Sequence, residues 1–259
     1  MTPQDAAAGD QPWTRERHLS EGEVTMAVTE TAGPPEPVFV LIHGIGMGRA
    51  VFTELANELA ATGRVLALDL PGFGDSPEPG TAMSLEATAA GLADALASEL
   101  PHGAVWVGHS MGTQIVAEVA VQRPDLVRAL VLIAPTVDAA ARTAPRQIRH
   151  MLQDLYGESP RVLLVGMWQY TKTSPLWFVR KLQFMLAHHL ESICPRIAAP
   201  TLVLRGAHDR VCPEPWTRSV AALIPHATFE QIPDRGHEAV IKSAEPVADM
   251  ITAFVDAQS

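Results

Sequence analysis

The chain of 259 residues is poor in features that define whole classes of protein. Its two cysteines, Cys194 and Cys212, lie far apart and outside any CxxC pattern, so neither a disulfide framework nor a zinc site is predicted. No apolar run approaches the roughly 18 residues of a membrane span, and no positively charged start leads into an apolar segment. We therefore expect a cytoplasmic protein that does not associate with membranes.

Positive charge is scarce as well. Lysine and arginine number 19 against 29 aspartates and glutamates, and the net charge of −10 argues against a nucleic-acid partner, because phosphate binding needs a basic surface. The stretch 142–196 is the exception, with eight basic residues against three acidic ones. A solvated helical surface explains most such stretches, and a docking site for an acidic partner is the alternative.

Apolar residues, in contrast, are plentiful at 47%, enough for one large core. After a loose tail over 1–11, apolar runs typical of strands alternate with helical patterns. The strand candidates are EVTMAVTE, PVFVLIH, RVLALDL, AVWVGH, ALVLIAP, PTLVLRG and the weaker ATFEQIP. Most are continuously apolar, as expected for parallel strands buried on both faces. Helices fit between them, including one that Ser84 is expected to cap. The alternation predicts an α/β fold with a doubly wound, mostly parallel sheet.

One interval breaks this alternation. Between Pro135 and Pro195 the sequence has helical patterns but no convincing strand. It follows the fourth of the buried strand candidates, so we expect a helical insertion over the carboxyl edge of the sheet. The expected division is a core of residues 1–135 and 198–259 and a helical cap of residues 136–197.

The stretch VWVGHSMGT contains the pattern G-x-S-x-G, with Ser110 between Gly108 and Gly112. A buried strand precedes it and an amphipathic helix follows, which is the setting of a nucleophilic serine on a tight strand-to-helix turn. Side chains at the two glycines would collide with neighbouring backbone in such a turn. The alternative is that Ser110 merely caps the following helix.

A nucleophilic serine needs a base, and the base needs an orienting acid. His237 lies on a glycine-flanked loop after the last strand, which returns it to the edge where Ser110 emerges. Asp209 directly follows another strand, and the order Ser110, Asp209, His237 is the one expected of this kind of fold. Asp138 and Asp234 are competing acids, and a surface ion pair with Arg210 is the alternative role for Asp209.

Acyl transfer also needs donors for the oxyanion of the tetrahedral intermediate. The backbone N–H of Met111, next after the serine, is one candidate. The loop LIHGIG, after an early strand, offers the N–H of Ile45 as the other. An ordinary tight turn at this loop is the alternative.

Taken together, HGIG, DLPGFGDS, GHSMG, GAHDRV and GHEAV resemble the α/β-hydrolase family, from about residue 38 to the C-terminus. The resemblance implies an eight-stranded, mostly parallel sheet with a helical cap, and a carboxylesterase-like enzyme without metal or organic cofactor. It supports Ser110, Asp209 and His237 as a triad, with Ile45 and Met111 as oxyanion donors. Serine at position 110 separates the chain from branches with an aspartate nucleophile, such as epoxide hydrolases and haloalkane dehalogenases.

The expected activity is hydrolysis of small to medium apolar carboxylic esters, by a monomer or homodimer. Candidate substrate contacts are His43, Gly44, Trp168, Trp177, Phe184 and Val211. Apolar residues of the cap are as easily explained by packing. An alternative activity is methyl ester hydrolysis on acyl chains carried by an acidic protein. Its docking residues would be Arg142, Arg146, Arg149, Arg180 and Lys181. Lactone or carbon–carbon bond hydrolysis by the same triad, and a ligand receptor without hydrolysis, also remain open.

Overall fold

The computed structural model describes residues 13–22, 24–143, 145 and 173–258. In this part of the chain eight strands form one sheet, in the order β1-β2-β4-β3-β5-β6-β7-β8. The strands are β1 Trp13–Glu21, β2 Val24–Thr31, β3 Val38–Ile42, β4 Arg64–Leu68, β5 Ala104–His109, β6 Val127–Ile133, β7 Thr201–Gly206 and β8 Ala227–Ile232. β2 runs antiparallel to β1 and β4, and the other neighbours pair in parallel. The mostly parallel eight-stranded α/β fold is confirmed.

Helices cover both faces of this sheet. They are α1 Thr53–Leu59, α2 Leu85–Leu96, α3 Met111–Gln122, α4 Pro175–Ala187, α5 Leu190–Ile193, α6 Glu214–Leu223, α7 Ala239–Lys242 and α8 Ala244–Asp256. Alternate residues of β3 show how the core divides. Val40 packs in one apolar cluster with α2, α3 and α6, whereas Leu41 packs in a second cluster with α1 and α8. This two-sided burial explains the continuously apolar strands. Among the described residues, no helix is long and apolar enough to cross a membrane.

The strand predictions hold, but they missed β1. Its sequence WTRERHLSE is mostly exposed because the strand lies at the edge of the sheet and pairs only with β2. Arg17 pairs there with Glu99, at 2.6 Å between Nη2 and Oε2. Charged side chains of this kind protect an edge strand from pairing with other chains, and they hide the apolar period that marks a strand. The predicted tail over 1–11 lies outside the described residues.

The helix predictions hold where the structure describes them. Ser84 caps α2, with its side chain accepting a hydrogen bond from the N–H of Ala87 at 3.2 Å. The last helix and the cap helix α4 are also present, whereas α6 and α7 were not predicted. Residues 144 and 146–172 of the expected cap lie outside the described residues.

The cap helix α4 is fixed to the core at two points. Trp177 donates its indole N–H to the carbonyl of Pro71, in the DLPGFGDS loop, at 3.1 Å. Lys181 donates from Nζ to the carbonyl of Met83 at 3.0 Å and contacts the hydroxyl of Thr88 at 3.3 Å. Both side chains are buried, so α4 is held against the turn that begins α2 and against the loop after β4.

Lys181 has an ordinary carbonyl and a hydroxyl as its hydrogen-bond partners, and burial lowers the pKa of its ammonium group to about 8. The ordinary value is 10.5. Between these two pH values the unfolded chain binds more protons at this site than the folded chain does. The contribution of Lys181 to stability therefore rises as pH increases from about 8 to 10.5.

We expect the variant Lys181→Met to lack this rise. The free energy of unfolding of the wild type minus that of the variant should increase by about 3 kcal/mol between pH 7 and pH 10.5. Urea denaturation at several pH values measures this difference. Arg180→Met is the control, because it removes an exposed cation from the same helix and leaves the buried Lys181 in place. Parallel pH curves for wild type and Lys181→Met would contradict the assignment.

Candidate active site

Ser110 lies on the turn between β5 and α3, with φ 54° and ψ −121°. A positive φ is strained for a residue with a side chain, and such strain is typical of a serine held outward between strand and helix. The Ser110 side chain makes no capping hydrogen bond to α3, so the capping alternative is not what the structure contains. Its backbone N–H donates to the carbonyl of Ile133 at 3.0 Å, which fixes the turn to β6.

The two glycines of this turn permit close backbone contacts. A Cβ at Gly112 would lie 2.2 Å from the carbonyl oxygen of Ile42, and one at Gly108 would lie 2.5 Å from the carbonyl oxygen of Gly112. Gly44 brings the HGIG loop against the serine, since a Cβ there would lie 2.9 Å from Cβ of Ser110. The two glycines of GHSMG are therefore required by the turn, and the HGIG loop lies beside it.

Asp209 and His237 meet at the same edge, as predicted. Asp209 is 3% exposed, which rules out the alternative of a surface ion pair. His237 Nδ1 lies 3.0 Å from Oδ2 of Asp209, while Oδ1 accepts the N–H groups of Val211 and Cys212, each at 2.8 Å. Since Nδ1–H is donated to the carboxylate, the lone pair of the neutral imidazole lies on Nε2, the nitrogen that a general base presents to a serine.

Burial acts to raise the pKa of the Asp209 carboxyl group. The charge of His237, its hydrogen bond and the two backbone N–H donors outweigh that effect, so the pKa lies below its ordinary value. Asp209 therefore stays ionised at neutral pH and stabilises a positive charge on the imidazole of His237.

The competing acids are engaged elsewhere. Asp138 accepts a hydrogen bond from the N–H of Ala140 at 2.9 Å and caps a short turn at the surface. Asp234 has a largely exposed side chain, 3.7 Å from the ring of His208. Of the three predicted candidates, Asp209 is the one bonded to His237.

The predicted oxyanion donors lie on the two segments that border Ser110. Met111 is the first residue of α3, and Ile45 follows Gly44 in the loop after β3. The loop is held by His43, whose Nδ1 donates to the carbonyl of Gly44 at 2.7 Å and whose Nε2 accepts the N–H of Leu70 at 3.0 Å. This arrangement suits a loop that must keep its N–H groups in place.

The predicted substrate contacts need correction. His43 is fully buried with both ring nitrogens bonded to backbone, and Trp177 is buried with its indole N–H bonded to Pro71, so neither side chain is exposed to a substrate. Val211 is buried beside Cys212, and Phe184 packs partly buried against the core. Gly44 is adjacent to Ser110. Trp168 lies outside the described residues.

The predicted docking residues also need correction. Lys181 is buried, and Arg142 binds the carboxylate of Glu191 with Nη2, at 2.7 Å to each oxygen. Both side chains therefore make contacts within the fold and do not project from an open surface. Arg180 is exposed on α4. Arg146 and Arg149 lie outside the described residues.

His109, the residue before Ser110, also lies at the site. It is fully buried, its Nε2–H donates to the carbonyl of His237 at 3.0 Å, and the two rings lie 5.0 Å apart. Burial, followed by the charge of His237, lowers the pKa of His109 to about 3. His109 is therefore neutral at working pH and holds the loop of His237 without adding a charge beside it.

Two groups of the described residues have the spacing of metal ligands. They are Asp209, Cys212 and His237, and Glu86, Glu118 and His188. In the first, Asp209 and His237 are bonded to each other. In the second, Nε2 of His188 lies 2.9 Å from Glu118 and its Nδ1 lies 3.2 Å from the amide of Gln114. Hydrogen bonds therefore engage Asp209 and His237 in the first group and Glu118 and His188 in the second.

Chemically, this edge of the sheet combines a serine on a strained turn, an imidazole oriented by an ionised carboxylate, and backbone N–H groups on two adjoining segments. That set fits attack on a carbonyl carbon, stabilisation of the resulting oxyanion and proton transfer to a leaving alcohol.

Comparison with known proteins agrees with this chemistry. The model of the alpha/beta hydrolase family matches residues 39–250. A pimeloyl-[acyl-carrier protein] methyl ester esterase of Vibrio cholerae is 26% identical over 257 residues, covering 89% of this chain and 99% of the relative. The enzyme of that name from Xanthomonas campestris is 29% identical over 248 residues, covering 85% and 96%.

Solved structures share the fold at lower sequence identity. A hydrolase from Pseudomonas aeruginosa superposes with a TM-score of 0.82 at 19% identity, covering 93% of this chain and 98% of the other. A thermophilic esterase from Thermogutta terrifontis superposes with a TM-score of 0.79 at 22% identity, covering 95% and 99%.

Proposed function

The chain belongs to the alpha/beta hydrolase family and is an ester-cleaving enzyme, and we propose that it works through an acyl-enzyme formed on Ser110. The observation that carries the proposal is the hydrogen-bonded pair of Asp209 and His237 at the sheet edge where Ser110 is held with positive φ. His237 takes the proton of Ser110 as the hydroxyl attacks the ester carbonyl. The N–H groups of Ile45 and Met111 stabilise the oxyanion.

The second half of the cycle uses the same groups. Protonated His237 gives its proton to the leaving alcohol, and the acyl group stays on Ser110. His237 then activates a water molecule, which releases the acid and restores the serine. Asp209 keeps Nδ1 of the imidazole protonated throughout, and its carboxylate stabilises the imidazolium in both steps.

For the substrate we propose small to medium apolar acyl esters. The described part of the cap supports this class because Phe184 and Met185 of α4 are apolar and pack with the cluster that contains Met111, the residue next to Ser110. We also propose that residues 136–197 form the cap and that residues 1–135 and 198–259 form the hydrolase core. A panel of p-nitrophenyl esters of increasing acyl length, with lactones, thioesters and vinylogous diketones, tests this class directly.

A second candidate is methyl ester hydrolysis on an acyl chain carried by an acidic protein. The names of the curated relatives favour it, since several of them are pimeloyl-[acyl-carrier protein] methyl ester esterases that align over most of this chain. The basic stretch 142–196 is the feature of this chain that fits an acidic partner, and Arg180 is its exposed basic residue on α4.

This candidate makes a specific prediction. Arg180→Ala should raise the KM for a carrier-bound acyl methyl ester about two- to fivefold at low salt, because a surface charge pair contributes about 0.5 to 1 kcal/mol. The difference should shrink as salt increases. Steady-state kinetics at two salt concentrations measure this difference in KM. The KM for the free methyl ester should be the same in both proteins. Arg128→Ala, an exposed arginine at the opposite end of β6 from the site, is the control. Equal KM values for wild type and Arg180→Ala at low salt would count against docking at this helix.

A further inference from the structure

Arg205 is a buried arginine in β7 that the proposed mechanism does not use. It is 4% exposed and lies four residues before Asp209. Its guanidinium donates to three backbone carbonyls, those of Cys212 at 3.1 Å from Nε, Ala207 at 3.3 Å from Nη1 and Asp209 at 2.9 Å from Nη2. All three carbonyls belong to the loop that carries the candidate catalytic acid.

An ion pair does not account for this burial. Among the described residues, the carboxylate within ion-pair distance of Arg205 is that of Glu214. Its Oε2 lies 4.0 Å from Nη1 of Arg205, and the Glu214 side chain is 43% exposed. An ion pair that is half exposed and 4.0 Å long contributes little to the free energy of unfolding. The cost of burying the guanidinium is offset mainly by its charge-assisted hydrogen bonds to the three carbonyls.

These bonds restrain the loop of residues 207–212, which carries Asp209. Oδ1 of Asp209 binds the N–H groups of Val211 and Cys212, so the carboxylate holds the amide side of the loop. Arg205 holds its carbonyl side. Cys212 takes part in both, with its N–H on Asp209 and its carbonyl on Arg205. Without the guanidinium, the three carbonyls would lose their common donor. The loop would then be held by the Asp209 carboxylate and by backbone bonds such as that from the N–H of His208 to the carbonyl of Arg235, at 2.7 Å.

We propose that Arg205 is a positioning residue that fixes the loop of Asp209 so that the carboxylate meets His237. The inference rests on the triad of the proposed function. A planar guanidinium with its donors in a fixed fork reaches three carbonyls at once, whereas the single ammonium of lysine is a point donor and does not. The identity of the residue, and not only its charge, therefore matters.

The test is the variant Arg205→Lys, compared with the wild type on a p-nitrophenyl ester. We expect kcat to fall about 10- to 100-fold with KM within twofold, and the acid limb of the kcat/KM profile to move to lower pH. The limb moves because a displaced carboxylate no longer stabilises the imidazolium of His237. Circular dichroism and thermal unfolding establish that the variant is folded. If lysine prevents folding, Arg205→Gln, which keeps N–H donors without the charge, is measured in the same way.

Glu214→Gln is the matched control, because it removes the ion pair and leaves the three carbonyl bonds in place. It should keep the wild-type kcat and pH profile. The proposal is overturned if a folded Arg205 variant keeps the kcat and profile of the wild type, or if Glu214→Gln reproduces the loss. Failure of the triad itself is recognised separately, because Ser110→Ala would then retain activity.

Discussion

Replacing Ser110 by alanine is expected to lower kcat for ester hydrolysis by about 10⁴- to 10⁶-fold, the range seen when a triad nucleophile is removed. The reason is that no acyl-enzyme forms without the hydroxyl, while binding and the oxyanion donors remain. The fold should be unaffected, because the side chain makes no capping hydrogen bond and alanine meets the same positive φ. Turnover of a p-nitrophenyl ester and thermal unfolding of both proteins measure the two effects.

The control for this change is Ser219→Ala, which removes a serine hydroxyl from the outer part of α6. It should keep the wild-type kcat. If Ser110→Ala retained a substantial share of the turnover while folded, the nucleophile would have to be sought elsewhere.

Replacing Asp209 by asparagine is expected to lower kcat about 10³- to 10⁴-fold. The asparagine is nearly isosteric, but it can present an amide N–H to Nδ1 of His237, which favours the tautomer that carries its proton on Nε2. That tautomer cannot accept the proton of Ser110. Turnover of the same ester measures the loss, and KM should change little because the acid does not contact the substrate.

The change also has a signature in stability. The pKa of Asp209 is lowered in the folded state, so its contribution to stability is present above the ordinary value of 3.8 and is lost as pH falls through the folded value. The asparagine variant should lack this acid-dependent loss. Asp234→Asn is the control, since its carboxylate is exposed and not bonded to His237, and it should keep the wild-type kcat. A loss of activity in Asp234→Asn with Asp209→Asn active would reverse the assignment of the acid.

The sequence was sufficient to predict the central strands and the order of the site residues. Runs such as AVWVGH are apolar on both faces of the strand because helices cover both faces. The continuous apolar run in the sequence therefore predicts a strand that is buried on both sides. The acid and the base were predictable because each lies on a loop that follows a strand, and the carboxyl ends of parallel strands meet at one edge of a sheet. That topology brings the two loops together, and the hydrogen bond forms between them.

Burial of individual polar residues was not predictable in the same way. Lys181 looked like one of several cap cations, yet its long side chain reaches into the core and binds carbonyl and hydroxyl oxygens. His43 looked available to a ligand because it precedes a glycine-rich loop, but both ring nitrogens are used to hold that loop. Arg205 ends an apolar run and gave no sign that its guanidinium turns towards the loop after β7. These outcomes depend on rotamers and on contacts between distant segments.

The most direct test of the central claim is covalent labelling of the folded protein with a fluorophosphonate, followed by mass spectrometry of its peptides. We expect one adduct on the peptide that contains Ser110, with loss of ester turnover in proportion to labelling, and no adduct in Ser110→Ala. Folded wild-type protein that takes no label, or an adduct on another residue, would contradict it.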